Sequence, residues 1–402
     1  MSDWESTTTK SGLLFYCQPN ESKRFNSSKI LALDLDGTLI KPEIGKIFPV
    51  SIDDWVFIYN MKKIRDYSKK GYKIVIMTNQ KGCYQGKGKL TFDDFKTRWF
   101  NICDTLKVPA YILAAPQDDF YRKPATGMWD FMEKNLNGDL KINLKDCIYV
   151  GDAAGRKGDH SDVDIKYAIN IGVTFMTPEE FFEDSKDFPF DSLKENLKGF
   201  NPREYMESEL IKEIHLNNQD SWKNIERITK GGKSVLMMIG SPASGKSSLA
   251  KLIKDRLDPT LTIILSLDTE KTKDKLKKAL INCVHKDNLE CTNVIIDATN
   301  GTKKARQEWI DAIKKTNPDV NIFGIFMNVD KNVVMHFNEL RKLRTVINPE
   351  YHSKNIPDVA IHSFFKKYEE PSKDEGFNNI IDFSFEPIFK DEEDKKQFLS
   401  WY

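Results

Sequence analysis

Residues 29–40 read KILALDLDGTLI, an apolar run that ends in two aspartates two positions apart, followed by a glycine. The run is apolar throughout rather than alternating, which is the pattern of a strand buried on both faces of a parallel sheet. Such a strand delivers Asp34 to the carboxyl edge of the sheet, where ligands of open α/β sheets bind. Gly37 permits the turn that keeps Asp36 close by. A carboxylate is a poor nucleophile until it is positioned and its target phosphate neutralised, and a neighbouring carboxyl can protonate the leaving oxygen. D-x-D-G also opens calcium loops, but an EF-hand needs a glutamate at the twelfth position, which here is Gly45.

The rhythm continues outward. YKIVIMT (72–78), AYILAA (110–115) and CIYVGD (147–152) read as strands. WVFIYNMKKIRDYSKK (55–70), TFDDFKTRWFNICDTL (91–106) and GMWDFMEKNL (127–136) read as amphipathic helices between them. Polar residues fall where these strands end. Thr78 closes the second strand and can donate its hydroxyl to a phosphoryl oxygen, with Asn79, Gln80 and Lys81 directly behind it. Lys123, in YRKPATGMW, can neutralise a phosphate and hold Asp34 ionised, and Asp152 offers an oxygen of the kind magnesium prefers. No acidic residue lies between Asp66 and Asp93, whereas Lys69, Lys70, Lys73, Lys81, Lys87 and Lys89 do. With Arg122 and Arg156 beside the other motifs, these cations suggest a track for a phosphate backbone, although single lysines are usually solvated surface.

Polar chain around 191–233 interrupts the pattern, and a second α/β series follows. After the strand SVLMMIG (234–240), GSPASGKS (240–247) satisfies G-x-x-x-x-G-K-[ST] and runs into the helical SSLAKLIKDRL. The loop of Gly240, Ser241, Pro242, Ala243, Ser244 and Gly245, with its backbone amides, and the start of the helix at Ser247 and Ser248 suit the phosphates of ATP. Lys246 reaches the outer phosphates and Ser247 a magnesium ion. Asp268 ends TIILSLD and is a candidate base for an acceptor hydroxyl. Asp297 ends NVIID, with Asn300 close behind, and is a candidate for magnesium or substrate. Both aspartates precede helical segments, so capping is the alternative for each; function is the better reading for Asp268, and the two readings are even for Asp297. Arg341 and Arg344, in HFNELRKLRT, could close over a transferred phosphate.

Composition sets the class. The chain has 402 residues, 40% hydrophobic and 30% charged, with 61 Lys+Arg against 60 Asp+Glu. That length fits two or three soluble domains, and the balance excludes a uniformly basic nucleic-acid coat. The apolar runs are too short to cross a membrane, and MSDWESTTTK has no secretory h-region. Six scattered cysteines form no C-x-x-C pair, and the six histidines no H-x-x-x-H, so neither disulfides nor zinc are expected and the compartment reads as intracellular.

The first set of motifs resembles the haloacid-dehalogenase phosphatase superfamily. The resemblance implies an aspartyl-phosphate on Asp34, acid–base work by Asp36, and magnesium held by Asp34, the Asp36 carbonyl and Asp152. Neither the span from Asp34 to Thr78 nor that from Thr78 to Lys123 has room for a large cap, and an open site suits a polymer end. Taken whole, SSKILALDLDGTLI, TNQKG, YRKPATGMWDF, VGDAAGRKGD, AINIGVTFMTPEEFF, GSPASGKSSLA, IIDATN and EGFNNI, in this order, resemble the eukaryotic polynucleotide kinase–phosphatase family. That likeness implies removal of 3′-phosphate and addition of 5′-phosphate at DNA ends, with Mg2+ and ATP. It makes Asp268 the base for the 5′-hydroxyl and Arg341, or else Arg344, the lid arginine. It also implies a monomer with a nuclear address, although no basic localisation run is present. Animal members begin with a forkhead-associated domain that docks on phosphorylated scaffolds; residues 1–28 cannot form one, so docking by that route is not expected.

The expected architecture is therefore α/β with two domains. Residues 1–28 form an extension, 29–195 a haloacid-dehalogenase-like phosphatase without a large cap, 196–232 a connector, and 233–402 a P-loop kinase. Two alternatives stay open: RNA ends in place of DNA, since no residue reports on the 2′-hydroxyl, and a metabolite kinase joined to a metabolite phosphatase. A third, a repair scaffold with decayed sites, is disfavoured because every key residue type is present.

Overall fold

Alternate residues of the opening stretch go to opposite sides of one sheet. Ile30 and Ala32 join one apolar cluster and Leu31 and Leu33 another, all four fully buried. The same division holds for Val75 and Met77 against Ile74 and Ile76, so both faces of this sheet are covered. The computed structural model describes residues 1–43, 49–195, 197, 199–288, 290–347 and 356–402, without the side chains of Asp268 and of 345–347.

The described chain forms two compact units, one of Met1–Pro202 with 340–347 and Asp391–Tyr402, the other of Arg203–Glu339 with 356–390. In the first, the strands are β1 (Glu5–Thr9), β2 (Gly12–Cys17), β3 (Ile30–Leu33), β4 (Ile40–Lys41), β5 (Val56–Phe57), β6 (Lys73–Asn79), β7 (Ala110–Ala115), β8 (Ile148–Val150) and β9 (Thr174–Met176). Seven of them make one sheet in the order β1-β2-β7-β6-β3-β8-β9. β7, β6, β3, β8 and β9 run parallel, and the β1–β2 hairpin adds antiparallel to β7 through Cys17 opposite Ile112. The segment before residue 29 thus extends the sheet. At the other end of the chain, Trp401 exchanges two hydrogen bonds with Asn170 and Lys396 pairs with Asp130, so residues 391–402 belong to this unit.

The helix read over 55–70 is shorter than its pattern. Val56–Phe57 pairs with β4 instead, and the Asn60 side chain accepts from the Lys62 N–H at 2.9 Å, starting the helix at Lys62–Lys69. The helix Phe92–Leu106 begins as its sequence suggests, with Thr91 and Asp94 forming a capping box. Between Asp34 and Thr78, the described residues hold only the β4–β5 pair, the helix Lys62–Lys69 and the body of β6, and no further domain.

The second unit contains β10 (Ser234–Ile239), β11 (Thr262–Ser266), β12 (Asn293–Asp297), β13 (Asn321–Asn328) and β14 (Asn379–Ser384), all parallel, in the order β11-β12-β10-β13-β14. The connector helix Glu209–Ile228 lies beside β14, where Asn218 bonds both the carbonyl and the N–H of Ser384. Among the described residues, no helix is long and apolar enough to cross a membrane.

Two buried charges anchor the units. Lys73 starts β6 with no exposure, its ammonium directed to the Leu136 carbonyl and Asn137 Oδ1 and standing 4.2 Å from the Tyr111 ring centre. It is therefore not part of a cationic surface. In the second unit, Arg306 holds Glu375 with two hydrogen bonds of 2.7 Å and donates to the carbonyls of Asn300, Glu369 and Glu370.

Burial lowers the Lys73 ammonium to about 8. Between about 8 and 10.4 the unfolded chain keeps this proton while the folded chain has released it, so folding gains stability as pH rises. Wild type should gain about 1–3 kcal/mol over Lys73→Met across that window in denaturant melts, and a pH-independent difference would refute the linkage. Glu375→Ala leaves Arg306 buried without its anion and should destabilise the second unit by about 3–5 kcal/mol; a loss below about 1 kcal/mol would mean that the guanidinium finds water.

Candidate active sites

Four loops converge at the carboxyl edge of the first sheet. Asp34 directly follows β3, its N–H donating to the Val150 carbonyl of β8 at 2.9 Å. Lys123 lies on the loop before the helix Gly127–Leu136 and is 3% exposed. Its ammonium donates to Asp34 Oδ1 and Asp164 Oδ1, both at 2.7 Å, and to the Tyr149 hydroxyl at 2.8 Å. Tyr149 in turn donates to Asp164 at 3.0 Å. Asp152 follows β8 and accepts from the Thr38 hydroxyl at 3.0 Å. Gly37 makes this approach possible: its φ is +84°, and a β-carbon there would fall 2.5 Å from Asp152 Oδ2.

Oxygens of Asp34, Asp152 and Asp164 lie within 4.8 Å of one another. Burial pushes the Asp34 carboxyl well up, the Lys123 ammonium opposes the rise, and Asp164 and Asp152 add to it. Asp152 is likewise raised, first by burial and then by Asp164. Three carboxylates against one ammonium leave a formal charge of −2 at the site, with Asp34 and Asp164 buried and Asp152 half-buried. A divalent cation with hard oxygen preference supplies the missing charge, so this donor set fits magnesium.

Asp36 is placed by its neighbours. Gln80 Nε2 donates to its Oδ2 at 2.7 Å and to the Thr78 hydroxyl at 2.9 Å, which leaves the Thr78 O–H available as a donor. Arg98, on the helix Phe92–Leu106, is 3% exposed and stands 3.8 Å from Asp36 Oδ1. The other expected residues divide. Lys81 and Arg122 meet at one carboxylate, Asp118. Asn79 exchanges two hydrogen bonds with the Lys123 backbone, so it shapes that loop. Arg156 is bound by Asp159 and Glu179 and donates to the Asp152 carbonyl at 3.2 Å, so it braces the Asp152 turn.

Asp164, Thr38, Tyr149 and Arg98 were not singled out from the sequence. Asp164 had a signal in GDHSDVD (158–164), but its three aspartates look alike there. Folding separates them: Asp159 binds Arg156, Asp162 binds Lys166, and Asp164, in the first turn of the helix Val163–Ile171, turns into the site.

In the second unit, β10 leads into the loop at Gly240 and the helix Lys246–Arg256 follows. Gly245 has φ +91°, a left-handed turn that opens the helix. Ala243 takes φ +62°, less common for a residue with a side chain. The Lys246 ammonium lies over its own loop, donating to the Ser241 carbonyl. Ser247 and Ser248 are exposed, Ser241 and Ser244 buried, and Pro242 half-buried. The Gly240 N–H donates to the Thr299 carbonyl at 3.0 Å, so residues 297–300 underpin the loop. Asn300 is buried, its amide donating to the Met238 carbonyl and accepting from Trp309, which makes it a brace of the loop rather than a surface contact. Asp297 is half-buried at the end of β12, opposite Ser266. Asp268 falls in the short helix Leu267–Glu270 after β11; its side chain lies outside the described residues. Arg344 pairs with Asp394 in the first unit, to which Arg341 also belongs.

Residues 29–182 match the family described as Polynucleotide kinase 3 phosphatase, and residues 234–379 that described as Chromatin associated protein KTI12. A bifunctional polynucleotide phosphatase/kinase of Schizosaccharomyces pombe is 32% identical over 384 residues, which cover 94% of this chain and 84% of that protein. A putative bifunctional polynucleotide phosphatase/kinase of Acanthamoeba polyphaga mimivirus is 29% identical over 99% of this chain and 94% of its own. The polynucleotide 3′-phosphatase ZDP of Arabidopsis thaliana is 39% identical over 41% of this chain and 25% of that protein, a similarity to about one half of the chain. With both kinds of unit present and near full-length similarity at this identity, the chain belongs to the bifunctional polynucleotide phosphatase/kinase family.

Proposed function

We propose that this enzyme heals nucleic-acid strand breaks, removing 3′-phosphate at the Asp34 site and adding 5′-phosphate at the P-loop. The observation that carries the reading is the buried cluster of Lys123, Asp34, Asp164 and Asp152 at the edge of one sheet, in a chain that carries a P-loop on another. An uncapped site among the described residues suits a polymer end, and the similarity to polynucleotide phosphatase/kinases names the polymer. We take the substrate to be DNA, the enzyme to act as a monomer, and its place to be the nucleus.

Asp34 attacks the phosphorus, forming an aspartyl-phosphate as the bond to the 3′-oxygen breaks. Asp36, held by Gln80, gives that oxygen its proton and then takes one from the water that hydrolyses the intermediate. Thr78 donates to a phosphoryl oxygen, while Lys123 orients Asp34 and favours its ionised form. Asp34, the Asp36 carbonyl, Asp152 and Asp164 would hold a magnesium ion, which would supply Lewis-acid stabilisation of the phosphoryl oxygens. At the second site the loop amides of 240–247 cradle the phosphates of ATP and Lys246 neutralises the outer ones. Asp268 takes the proton of the 5′-hydroxyl, and Ser247 and Asp297 serve the metal that accompanies ATP.

An oligonucleotide with a 3′-phosphate and a 5′-hydroxyl, given Mg2+ and labelled ATP, should change at both ends. Asp34→Ala should lower only the 3′ reaction, and Lys246→Ala only the 5′ reaction, each by about 10³-fold or more. If wild type leaves both ends untouched while a sugar phosphate turns over, the polynucleotide reading is wrong; parallel DNA and RNA strands decide the sugar. Asp164→Asn should cut 3′-phosphatase activity by about 100-fold and raise the Mg2+ concentration needed for half-maximal rate, with kinase activity intact. Asp162→Asn should do neither, and equal effects of the two substitutions would remove Asp164 from the metal set.

A further inference from the structure

The stretch KGCYQGKGKL (81–90) leaves β6 directly behind Thr78 and contains one aromatic residue that the chemistry above does not use. Tyr84 is 40% exposed, on the last position of the short helix Lys81–Tyr84. Its N–H donates to the Gln80 carbonyl at 3.1 Å, and the Gln80 side chain holds Asp36 at 2.7 Å. The residue therefore sits four residues, about 6 Å along the helix axis, from the one that positions Asp36.

An exposed tyrosine alone says little, but this one is built in. Its ring lies 5.6 Å from Phe92 at an interplanar angle of 89° and 5.8 Å from Phe15. Phe15 and Phe92 are themselves 4.5 Å apart, with Trp4 and Phe95 behind Phe92. Rings packed this way fix the root of the Tyr84 side chain while leaving part of it open to solvent. A planar ligand that lands there meets a surface already ordered, so little conformational entropy is lost on binding.

The charge carried by the same stretch, and by Arg122 which shares a carboxylate with its first residue, selects the ligand. Lys87 and Lys89 are exposed and form no ion pair among the described residues, and Lys81 and Arg122 share the single carboxylate of Asp118. Cations beside an aromatic platform are the combination that holds single-stranded nucleic acid, the backbone on the charges and a base on the ring. We propose that Tyr84 is a stacking platform for one of the last two bases of the strand whose 3′ end enters the Asp34 site. This rests on the reading of that site as a polynucleotide 3′-phosphatase, and it adds recognition of a base to recognition of the phosphate.

The test is 3′-phosphatase kinetics of wild type, Tyr84→Ala and Tyr84→Phe on a 3′-phosphorylated single strand, and on two strands with an abasic residue at the last or next-to-last position. Tyr84→Ala should raise KM about 5- to 100-fold on the base-bearing strand, the worth of one base–aromatic stack, with kcat unchanged. Tyr84→Phe should stay within about twofold of wild type, because stacking needs the ring and not the hydroxyl. On one of the abasic strands the difference between wild type and Tyr84→Ala should vanish. An unchanged KM for Tyr84→Ala, or a rise that persists on both abasic strands, overturns the platform and leaves Tyr84 as packing for the β1–β2 hairpin. Should Tyr84→Ala fail to fold, wild type alone decides: its KM must rise about fivefold or more on one abasic strand. Wild-type turnover with no dependence on the base sinks the platform alone, whereas no turnover of any 3′-phosphorylated strand sinks the phosphatase reading and the platform with it.

Discussion

Everything at the first site depends on one ammonium group that water does not reach. A buried charge is costly unless it is paired and its protons are all engaged. Lys123 satisfies that demand with three acceptors, Asp34, Asp164 and Tyr149, matching the three protons of its ammonium. The consequence reaches Asp34, which cannot turn away without leaving Lys123 short of an acceptor. With its three protons so engaged, Lys123 could act on a phosphate only through its charge and through Asp34. The carboxylates then outnumber the cation, and the same constraint that orients Asp34 creates the demand for a metal.

Sheet order brings the remaining groups to this point. β3 lies between β6 and β8, so the residues leaving the three strands, Asp34, Thr78 and Asp152, necessarily share one edge. The second sheet repeats the device, with β10 between β12 and β13 and the loop from Gly240 beside the end of β12 at Asp297. In both, the functional loop follows a central strand flanked by others whose connections leave in different directions, the place where open α/β sheets form crevices.

Strands of this kind were legible because burial on both faces demands unbroken apolar runs, and β3, β6, β7, β10 and β12 stand where those runs are. Asp34 and the P-loop were legible because a strand end followed by glycine is a local signal. What could not be read was set by partners distant in the chain. Asp164 differs from Asp159 and Asp162 only in facing Lys123, Lys73 differs from its neighbouring lysines only in lying under Leu136, and Asn300 is a brace only because Trp309 and Met238 meet it. The helix start at Lys62 was missed for the same reason, since pairing of Phe57 with Ile40 overrides the helical pattern around it. β14 was missed because NIIDFS is short and half polar, and becomes a strand only when β13 offers its edge.

The two sites differ in the charge they present. A group of three carboxylates around one ammonium carries negative charge and needs a cation to admit a phosphate at all. A P-loop is the reverse, an array of backbone N–H groups and one lysine that welcomes a polyphosphate. The two charge patterns stand on separate sheets, the carboxylates around Lys123 at the end of β3 and the loop amides from Gly240 at the end of β10.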